Sequence, residues 1–194
     1  MFINSLLILG AYLLGSLSGA IIICKVLGLP DPRTQGSGNP GATNILRQNG
    51  KKQAIITLLV DVFKGVIAVL VAKLIISDEA ILASVGVAVF LGHLYPIFFH
   101  FRGGKGVATA FGVLMMLAWP VSLAALATWF VMAALFRYSS LAAISSAMLT
   151  PVYMFLFTGV WEYLMMSFVI SSLLIWRHRS NIQNLLAGQE RKIR

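Results

Sequence analysis

The 194-residue sequence has few charged residues for its length and only one cysteine. Charged residues make up 11% of the chain, whereas a soluble domain carries about 25%. This shortage excludes an ordinary soluble enzyme and a disordered chain, because disorder requires low hydrophobicity and high charge. The single Cys24 excludes an internal disulfide framework and a cysteine-rich metal site.

Acidic residues are scarcer than basic ones, and apolar residues dominate. Six Asp and Glu oppose fifteen Lys and Arg, which leaves a formal net charge of +9. Such a balance can indicate a nucleic-acid-binding protein, but here the charges lie in short clusters between long apolar runs. Apolar residues make up 59% of the chain, and the mean hydropathy is +0.89. The sequence therefore predicts an all-α polytopic membrane protein with no nucleic-acid partner.

The apolar runs set the number of membrane crossings, since a transmembrane helix needs about 20 residues. Five runs qualify: 3–24, 53–76, 81–101, 140–158 and 160–176. A sixth run, 107–136, is too long for one crossing and contains Trp119-Pro120. Because proline interrupts a helix and restricts the residue before it, we expect two short helices, at about 107–118 and 121–136. The prediction is seven transmembrane helices in a single integral-membrane domain, residues 1–194.

The distribution of charge predicts the orientation. If 107–136 crosses twice, all the Lys and Arg of the loops and the tail fall on one side: Lys25, Arg33, Arg47, Lys51, Lys52, Arg102, Lys105, Arg137, Arg177, Arg179, Arg191, Lys192 and Arg194. The opposite loops contain Asp78, Glu79 and Glu162. Because cytoplasmic loops carry the excess of Lys and Arg, we expect the N-terminus outside and the C-terminus in the cytoplasm.

A glycine-rich segment at 36–44 lies in the first basic loop, with the sequence Gly-Ser-Gly-Asn-Pro-Gly-Ala-Thr-Asn. Glycine lets backbone amides approach a ligand closely, and successive amides can form an anion-binding concavity. Neutral side-chain donors and one nearby cation accompany them: Ser37, Asn39, Thr43, Asn44 and Arg47. The segment is a candidate phosphate cradle, and a flexible linker is the alternative.

A second glycine-rich segment at 101–109 has the sequence Phe-Arg-Gly-Gly-Lys-Gly-Val-Ala-Thr. Arg102 and Lys105 lie among glycines where one predicted span ends and a short helix begins. Backbone donors, the helix N-terminus and Lys105 can all face one phosphate. The alternative is a basic stop at the lipid headgroups.

Further polar residues lie at predicted cytoplasmic helix ends and inside two spans. His178 can accept a proton from a hydroxyl or donate to phosphate, although a polar helix cap is the alternative. Asp61 and Lys64 are one helical turn apart inside a span, and we interpret them as a buried ion pair near the site. We interpret His93 as a hydrogen-bonded packing residue, and the alternative is that it lines the site, because it lies beside Gly92 and before Pro96. The sequence has no H-E-x-x-H motif or Cys/His cluster, so metal-dependent hydrolysis is not indicated.

In combination, these motifs resemble the bacterial acylphosphate-dependent glycerol-3-phosphate acyltransferase family (PlsY type). The matching segments are 36–44, Asp-x-x-Lys-Gly at 61–65, Gly-His-x-x-Pro at 92–96, 101–109, His-Arg-x-Asn-Ile at 178–182 and Gly-x-Glu at 188–190. The resemblance implies transfer of a fatty acyl group from acyl phosphate to the 1-hydroxyl of sn-glycerol 3-phosphate, giving 1-acylglycerol 3-phosphate and phosphate. It also implies a location in the bacterial cytoplasmic (inner) membrane, with the active site on the cytoplasmic face. Asn184 departs from the family pattern, which usually has Arg there.

On this basis we expect two binding regions and no metal or organic cofactor. Acyl phosphate is expected to bind to Ser37, Asn39, Gly41, Thr43, Asn44, Gly103 and Gly104. Glycerol 3-phosphate is expected to bind to Arg47, Arg102, Lys105, Ser140, His178 and Asn181. The expected catalytic residues are Ser37, Lys105, His178 and Asn181, and the expected supporting residues are Asp61, Lys64, His93 and Glu190. The hydroxyl proton goes to His178 or to a donor phosphate oxygen, and the resemblance favours the phosphate.

Two other functions compete with this hypothesis. A transporter for phosphate or a phosphorylated solute predicts polar groups near the membrane midplane, where Asp61 and Lys64 are the strong candidates. A non-catalytic membrane scaffold leaves the concentration of donors on one membrane face unexplained.

Overall fold

The computed structural model describes residues 1–193, and over this range the chain forms ten α-helices, one short 3-10 helix and no strand. The α-helices are α1 Phe2–Gly15, α2 Gly19–Val26, α3 Ala42–Asn49, α4 Lys51–Ile75, α5 Glu79–Leu94, α6 Val107–Leu117, α7 Trp119–Phe136, α8 Ser139–Thr158, α9 Trp161–Arg177 and α10 Arg179–Leu186. The 3-10 helix is Ile97–Phe99. Arg194, one of the predicted cytoplasmic cations, lies outside the described residues. The all-α prediction is confirmed for the described chain.

The helices form two compact units, Met1–Val113 and the described residues from Leu114 onward. Within residues 1–193, four stretches are long and apolar enough to cross a membrane: Lys51–Ile75, Glu79–Phe99, Trp119–Phe136 and Ser139–Thr158. The pair α1 and α2, bent by 49°, counts as a fifth if it forms one span. Helix α6 has 11 residues, or roughly 16 Å at 1.5 Å per residue, about half the hydrocarbon core. The described residues therefore contain four to five candidate membrane spans, while the count of seven and the sides of the termini stay predictions.

The predicted interruption of 107–136 is confirmed. Ala118 has non-helical dihedral angles, φ −151° and ψ 76°, between α6 and α7. Pro120 follows in the first turn of α7, where backbone amides have no intrahelical partner and the missing N–H of proline costs little. The break therefore lies just before Trp119, and Trp119-Pro120 begins the second helix.

In the first unit, glycines allow helices to approach to backbone contact. A Cβ atom at Gly15 would collide with the carbonyl of Val89, and one at Gly92 would collide with the carbonyl of Tyr12. These two glycines bring α1 against α5. Gly65 and Gly112 make the corresponding approach between α4 and α6. These glycines therefore allow close helix packing, as small residues do in membrane proteins.

Two short helices, α3 and α10, lie in segments for which the sequence predicts loops. Each has eight residues, and an isolated helix of this length is marginal in water. Helix α3 is stabilised by packing, because Ile45 is fully buried in a cluster with Ala20, Cys24 and Ala54. Such a contact between distant residues is not visible in local propensity.

In the second unit, α7, α8 and α9 pack side by side in sequence order. The Ser146 hydroxyl donates to the carbonyl of Ala125 at 2.9 Å, and the Thr128 and Tyr153 hydroxyls lie 2.7 Å apart. These hydrogen bonds join α7 to α8 within the apolar stretch. They hold the middle of α8, the helix that contains Ser140, against α7.

Candidate active site

Asn44 organises the first glycine-rich segment. Its side chain is 2% exposed. Its Oδ1 accepts from the amide of Ser37 at 3.1 Å, and its Nδ2 donates to the carbonyls of Pro32 and Gln35 at 3.0 and 3.1 Å. The loop itself therefore uses both amide hydrogens of Asn44. The structure gives Asn44 a loop-holding role, and its contact with acyl phosphate stays a prediction.

The backbone amides of this segment are also used within it. Gly38 N donates to the carbonyl of Gln35, and Gly41 N donates to the carbonyl of Asn39, both at 2.9 Å. Asn39 N lies 3.4 Å from Ser37 Oγ, and Ser37 N is bonded to Asn44. These four amides do not form the concavity expected from the sequence, because the turns satisfy their own polar groups. Ser37, Thr43 and Arg47 remain solvent-exposed beside them.

The second glycine-rich segment packs tightly against His93 at the end of α5. The amide of Gly104 donates to the His93 carbonyl at 3.1 Å. A Cβ at Gly103 would meet that carbonyl, and one at Gly104 would meet the imidazole ring. Both glycines are buried, whereas Lys105 is half-buried and Arg102 is exposed. Glycine is required here for close approach to α5, a reason that the sequence pattern did not reveal.

Arg33 links the two glycine-rich segments and was not among the predicted site residues. Its Nη2 donates to Asp31 Oδ2 at 2.7 Å, and its Nη1 donates to the carbonyl of Phe99 at 2.9 Å. The Arg33 hydrogen bonds hold the pKa of the Asp31 carboxyl below its usual value. An open cavity of about 180 Å³ lies at this link, lined by Asp31, Arg33, Thr34, His100 and Arg102.

The predicted ion pair of Asp61 and Lys64 is confirmed, with Nζ 3.0 Å from Oδ1 and both side chains 3% exposed. Lys64 Nζ also donates to the carbonyls of Gly15 and Leu17 at 2.9 and 3.0 Å, where α1 ends. Asp61 Oδ1 accepts from the amide of Gly19, at the start of α2, at 3.4 Å. The cation thus meets carbonyls at a helix C-terminus and the carboxylate meets an N-terminal amide, as the helix dipoles favour.

His93 connects this ion pair to the second glycine-rich segment. Its Nδ1 lies 2.8 Å from Lys64 Nζ. Nδ1 also lies 3.6 Å from Asp61 Oδ1. An ammonium group only donates, so Nδ1 accepts from Lys64 when that lysine is charged. Nε2 is the ring atom that a Cβ at Gly104 would meet first. The interpretation of His93 as a hydrogen-bonded packing residue therefore agrees with its contacts.

In the second unit, Glu190 joins two predicted site residues. Its Oε1 accepts from the Ser140 hydroxyl and from Asn181 Nδ2, both at 2.9 Å. His178 is 4% exposed, and its Nδ1 lies 2.8 Å from the carbonyl of Leu174. A carbonyl only accepts, so Nδ1 carries the proton and the lone pair of the neutral ring is on Nε2.

The predicted site residues are thus distributed over both units. The first unit contains Ser37, Asn39, Gly41, Thr43, Asn44, Arg47, Arg102, Gly103, Gly104 and Lys105, with Asp61, Lys64 and His93. The second contains Ser140, His178, Asn181 and Glu190. Residues 1–193 contain no group of His, Cys, Asp and Glu side chains placed to hold a metal ion. In sequence, the only sign of the Asp31–Arg33 link is an acid and a base two residues apart.

Comparisons with known proteins match the whole chain. Residues 5–188 match the model of a family described as "Glycerol-3-phosphate acyltransferase". A protein of that name from Thioalkalivibrio sulfidiphilus is 55% identical over 193 residues, which cover 100% of this chain and 95% of that protein.

Two crystal structures of PlsY (YgiH), described as an integral membrane glycerol 3-phosphate acyltransferase, also match. The glycerol 3-phosphate form has a TM-score of 0.94 and 41% identity, and it covers 98% of this chain and 96% of the solved one. The lysophosphatidic acid form has a TM-score of 0.91 and 40% identity, with 97% and 94% covered.

Proposed function

Because this chain belongs to the glycerol-3-phosphate acyltransferase family, we propose that it takes its acyl group from an acyl phosphate and transfers it to the 1-hydroxyl of sn-glycerol 3-phosphate. The related PlsY structures are described as glycerol 3-phosphate and lysophosphatidic acid forms. These compounds are the acceptor and the product of the proposed reaction. The comparisons support an enzyme over the alternative of a transporter.

The choice of donor follows from the chemistry of the candidate site. An acyl phosphate already has a good leaving group, so its transfer depends on positioning and on stabilisation of negative charge. The observation that carries the proposal is the Arg33–Phe99 hydrogen bond at 2.9 Å. It joins the segment with Ser37 to the segment with Lys105. Linked segments that contain neutral donors and cations suit reactants that each carry a phosphate.

The proposed step forms one bond and breaks one bond. The 1-hydroxyl oxygen attacks the carbonyl carbon of the acyl phosphate, and a tetrahedral oxyanion develops. The bond from that carbon to the phosphate oxygen then breaks, and phosphate leaves with the electron pair. The hydroxyl proton passes to a phosphate oxygen of the donor, or to His178 Nε2 as the alternative. The products are 1-acylglycerol 3-phosphate and phosphate, and no cofactor takes part.

Individual residues have distinct roles in this proposal. Lys105 stabilises the oxyanion and contacts phosphate. Arg47 and Arg102 add positive charge for glycerol 3-phosphate, and Ser140, His178 and Asn181 orient it. Ser37, Asn39, Gly41, Thr43, Gly103 and Gly104 belong to the segments that receive the acyl phosphate. Glu190 supports Ser140 and Asn181, which its carboxylate already contacts.

We further propose that the chain crosses the bacterial cytoplasmic (inner) membrane seven times and acts at its cytoplasmic face. The loop cations support this orientation through the positive-inside rule. The acyl chain would then lie between helices that open to the cytoplasmic leaflet, because its apolar tail remains in the hydrocarbon region. This arrangement allows a lipid-soluble donor and a water-soluble acceptor to meet.

The donor is tested with purified protein in detergent and labelled glycerol 3-phosphate. Palmitoyl phosphate and palmitoyl coenzyme A are supplied in separate reactions, and labelled product and released phosphate are measured. We expect equal amounts of product and phosphate from palmitoyl phosphate, and no product from the thioester. Product formed only from the thioester would contradict the proposed donor. Labelled solute taken up into proteoliposomes without product would instead support a transporter.

A further inference from the structure

Arg33 lies outside the sequence motifs, and the proposed chemical step gives its side chain no role. It lies before the first glycine-rich segment, and its guanidinium reaches the carbonyl of Phe99, next to the second segment. We infer that Arg33, held by Asp31, is a positioning residue that fixes the second segment against the first and thereby sets the position of Lys105. The inference rests on the proposed function only in its assumption that Lys105 acts on the reactants.

The guanidinium of Arg33 is held in one orientation by Asp31. Its Nε lies 3.0 and 3.1 Å from the two carboxylate oxygens, and its Nη2 lies 2.7 Å from Oδ2. The backbone amide of Arg33 also donates to Asp31 Oδ1, at 2.9 Å. A planar guanidinium bound in this way directs its remaining nitrogen in a fixed direction. That nitrogen, Nη1, meets the Phe99 carbonyl at 2.9 Å.

The Phe99 carbonyl belongs to the turn that leads into the second segment. His100 and Phe101, which follow it, both have left-handed backbone dihedral angles, with φ of 58° and 57°. Residues other than glycine keep this conformation only where surrounding bonds determine it. The amide of Phe101 donates to the carbonyl of Pro96 at 2.9 Å, and the amide of Arg102 lies 3.3 Å from the Phe99 carbonyl. Arg33 therefore binds the same oxygen that closes the turn into Arg102.

Lys105 is thus constrained through its neighbours from two directions. On one side, Gly104 is bonded to the His93 carbonyl at 3.1 Å. On the other side, the strained turn at His100 and Phe101 is held by Arg33. An exposed ion pair alone contributes little to stability, but the Arg33 side chain is only 19% exposed and also binds backbone. Loss of Arg33 therefore releases the turn while the fold around His93 stays in place.

The kinetic test compares Arg33→Ala and Arg33→Lys with Lys52→Ala, which removes an exposed cation from the same unit. Lysine keeps the charge but lacks the planar fork, so it cannot bind both Asp31 oxygens in the arrangement that directs Nη1 of Arg33 at the Phe99 carbonyl. We expect both Arg33 variants to lose about 10- to 100-fold in kcat, the scale of a small misplacement of a catalytic group. KM for glycerol 3-phosphate should change by less than about threefold, and Lys52→Ala should resemble the parent.

A direct measurement separates positioning from general destabilisation. Spin labels at residues 48 and 98, in a Cys24→Ala background, report the separation of α3 from the 3-10 helix by double electron–electron resonance. We expect a narrow distance distribution in the parent and in Lys52→Ala, and a broad one in both Arg33 variants. Arg33→Lys is the decisive variant if Arg33→Ala does not fold.

Two outcomes would overturn the inference: full kcat in Arg33→Lys, or an unchanged distance distribution in the Arg33 variants. Failure of the proposed function is recognised separately. An unaltered protein that is inactive with palmitoyl phosphate contradicts the donor assignment, whereas the distance measurement does not depend on the donor.

Discussion

Lys105 lies in a segment whose backbone is fixed by neighbours, while its half-buried side chain extends from that backbone. We expect Lys105→Ala to lower the rate of acyl transfer by about 100-fold or more, the loss seen when one oxyanion-stabilising donor is removed. Thermal stability and membrane insertion should be unchanged, since Gly104 and His93 keep their contact. Activity is measured by product formation in detergent, with Lys52→Ala as the control. A rate within about threefold of the parent would remove Lys105 from the site.

Asn44 is predicted to bind acyl phosphate, yet its amide holds the loop, and two substitutions separate these roles. In Asn44→Asp, the Nδ2 group with its two N–H donors is replaced by one oxygen, which faces the carbonyls of Pro32 and Gln35. We expect Asn44→Asp and Asn44→Ala to lower the free energy of unfolding by about 1–3 kcal/mol, because buried polar groups lose their partners. The measurement is thermal denaturation in detergent. Unchanged stability with lost activity would instead indicate direct binding.

Asp31 gives the Arg33 link a defined pH dependence. The pKa of Asp31 is lowered first by its hydrogen bond to Arg33 and also by the charges of Arg33 and Arg102. Cys24 and His100 are the other titratable groups near it. A lowered folded-state pKa contributes stability that is present above the unfolded value of about 3.9 and is lost as the pH falls through the folded value.

Asp31→Asn should therefore melt at a lower temperature than the parent at pH 7, because it lacks the ionised carboxylate. The difference in Tm should decrease as the pH falls below about 4, since Asp31 takes up a proton first in the unfolded chain and, at lower pH, in the folded protein as well. Thermal denaturation from pH 7 to pH 3 measures this difference. A difference in Tm that stays constant to pH 3 would contradict the role of Asp31.

At the scale of elements, the break between α1 and α2 depends on charges from α4. A break inside an apolar span leaves backbone carbonyls and amides without helical partners, which is costly in a membrane. Lys64 binds two such carbonyls and Asp61 binds one amide. The ion pair therefore satisfies the interrupted helix ends as well as neutralising its own charges.

Lys64→Met should destabilise the protein by about 3–5 kcal/mol, because it removes the lysine counter-ion of the buried Asp61 carboxylate. The double variant Asp61→Asn with Lys64→Met should recover part of this loss, since no isolated charge remains. Thermal denaturation of the two variants and the parent provides the comparison. A single variant as stable as the parent would show that the ion pair does not hold the break.

Some helix boundaries are determined by local backbone chemistry, and others are determined by packing between distant residues. The interruption near Trp119-Pro120 was predictable because the restriction from proline is local. The eight-residue helix α3 was not, because it depends on Ile45 packing against Ala20 and Cys24. Short helices gain their stability from such contacts more than from intrinsic propensity.

At the scale of the whole molecule, the number of crossings decides which loops share a membrane face. Single cysteines at 52, 102, 137 and 189, all exposed positions, in a Cys24→Ala background, should react with a membrane-impermeant thiol reagent from the cytoplasmic side. Cysteines at 77 and 162 should react from the opposite side. If 107–136 crosses only once, residue 137 will label on the side opposite to residue 52. That result would contradict seven crossings and the proposed orientation.

The segments of the candidate site could be selected from sequence, because glycine-rich segments with cations and amides are unusual in a chain so poor in polar residues; their roles in binding and catalysis stay predictions. The pairing of Asp61 with Lys64 was also predictable, since their spacing places them on one helix face. The roles of Gly103 and Gly104 were not predictable. Glycine is needed at these two positions because they pack against His93, which is ten and eleven residues earlier in the chain. Arg33 was missed for the same reason, since its partner carbonyl is 66 residues away.

Composition and the order of residues determined by themselves that this chain is a helical membrane protein, where α6 and α7 separate, and which family it resembles. These properties depend on transfer of apolar residues from water, on local backbone restriction and on short motifs. Only the tertiary structure decided that Asn44 and the loop amides bond to the loop itself, that His93 packs under Gly104, and that Arg33 binds the second segment. The physical reason is that hydrogen bonds and close packing join atoms according to their distance in space, and local sequence does not determine that distance.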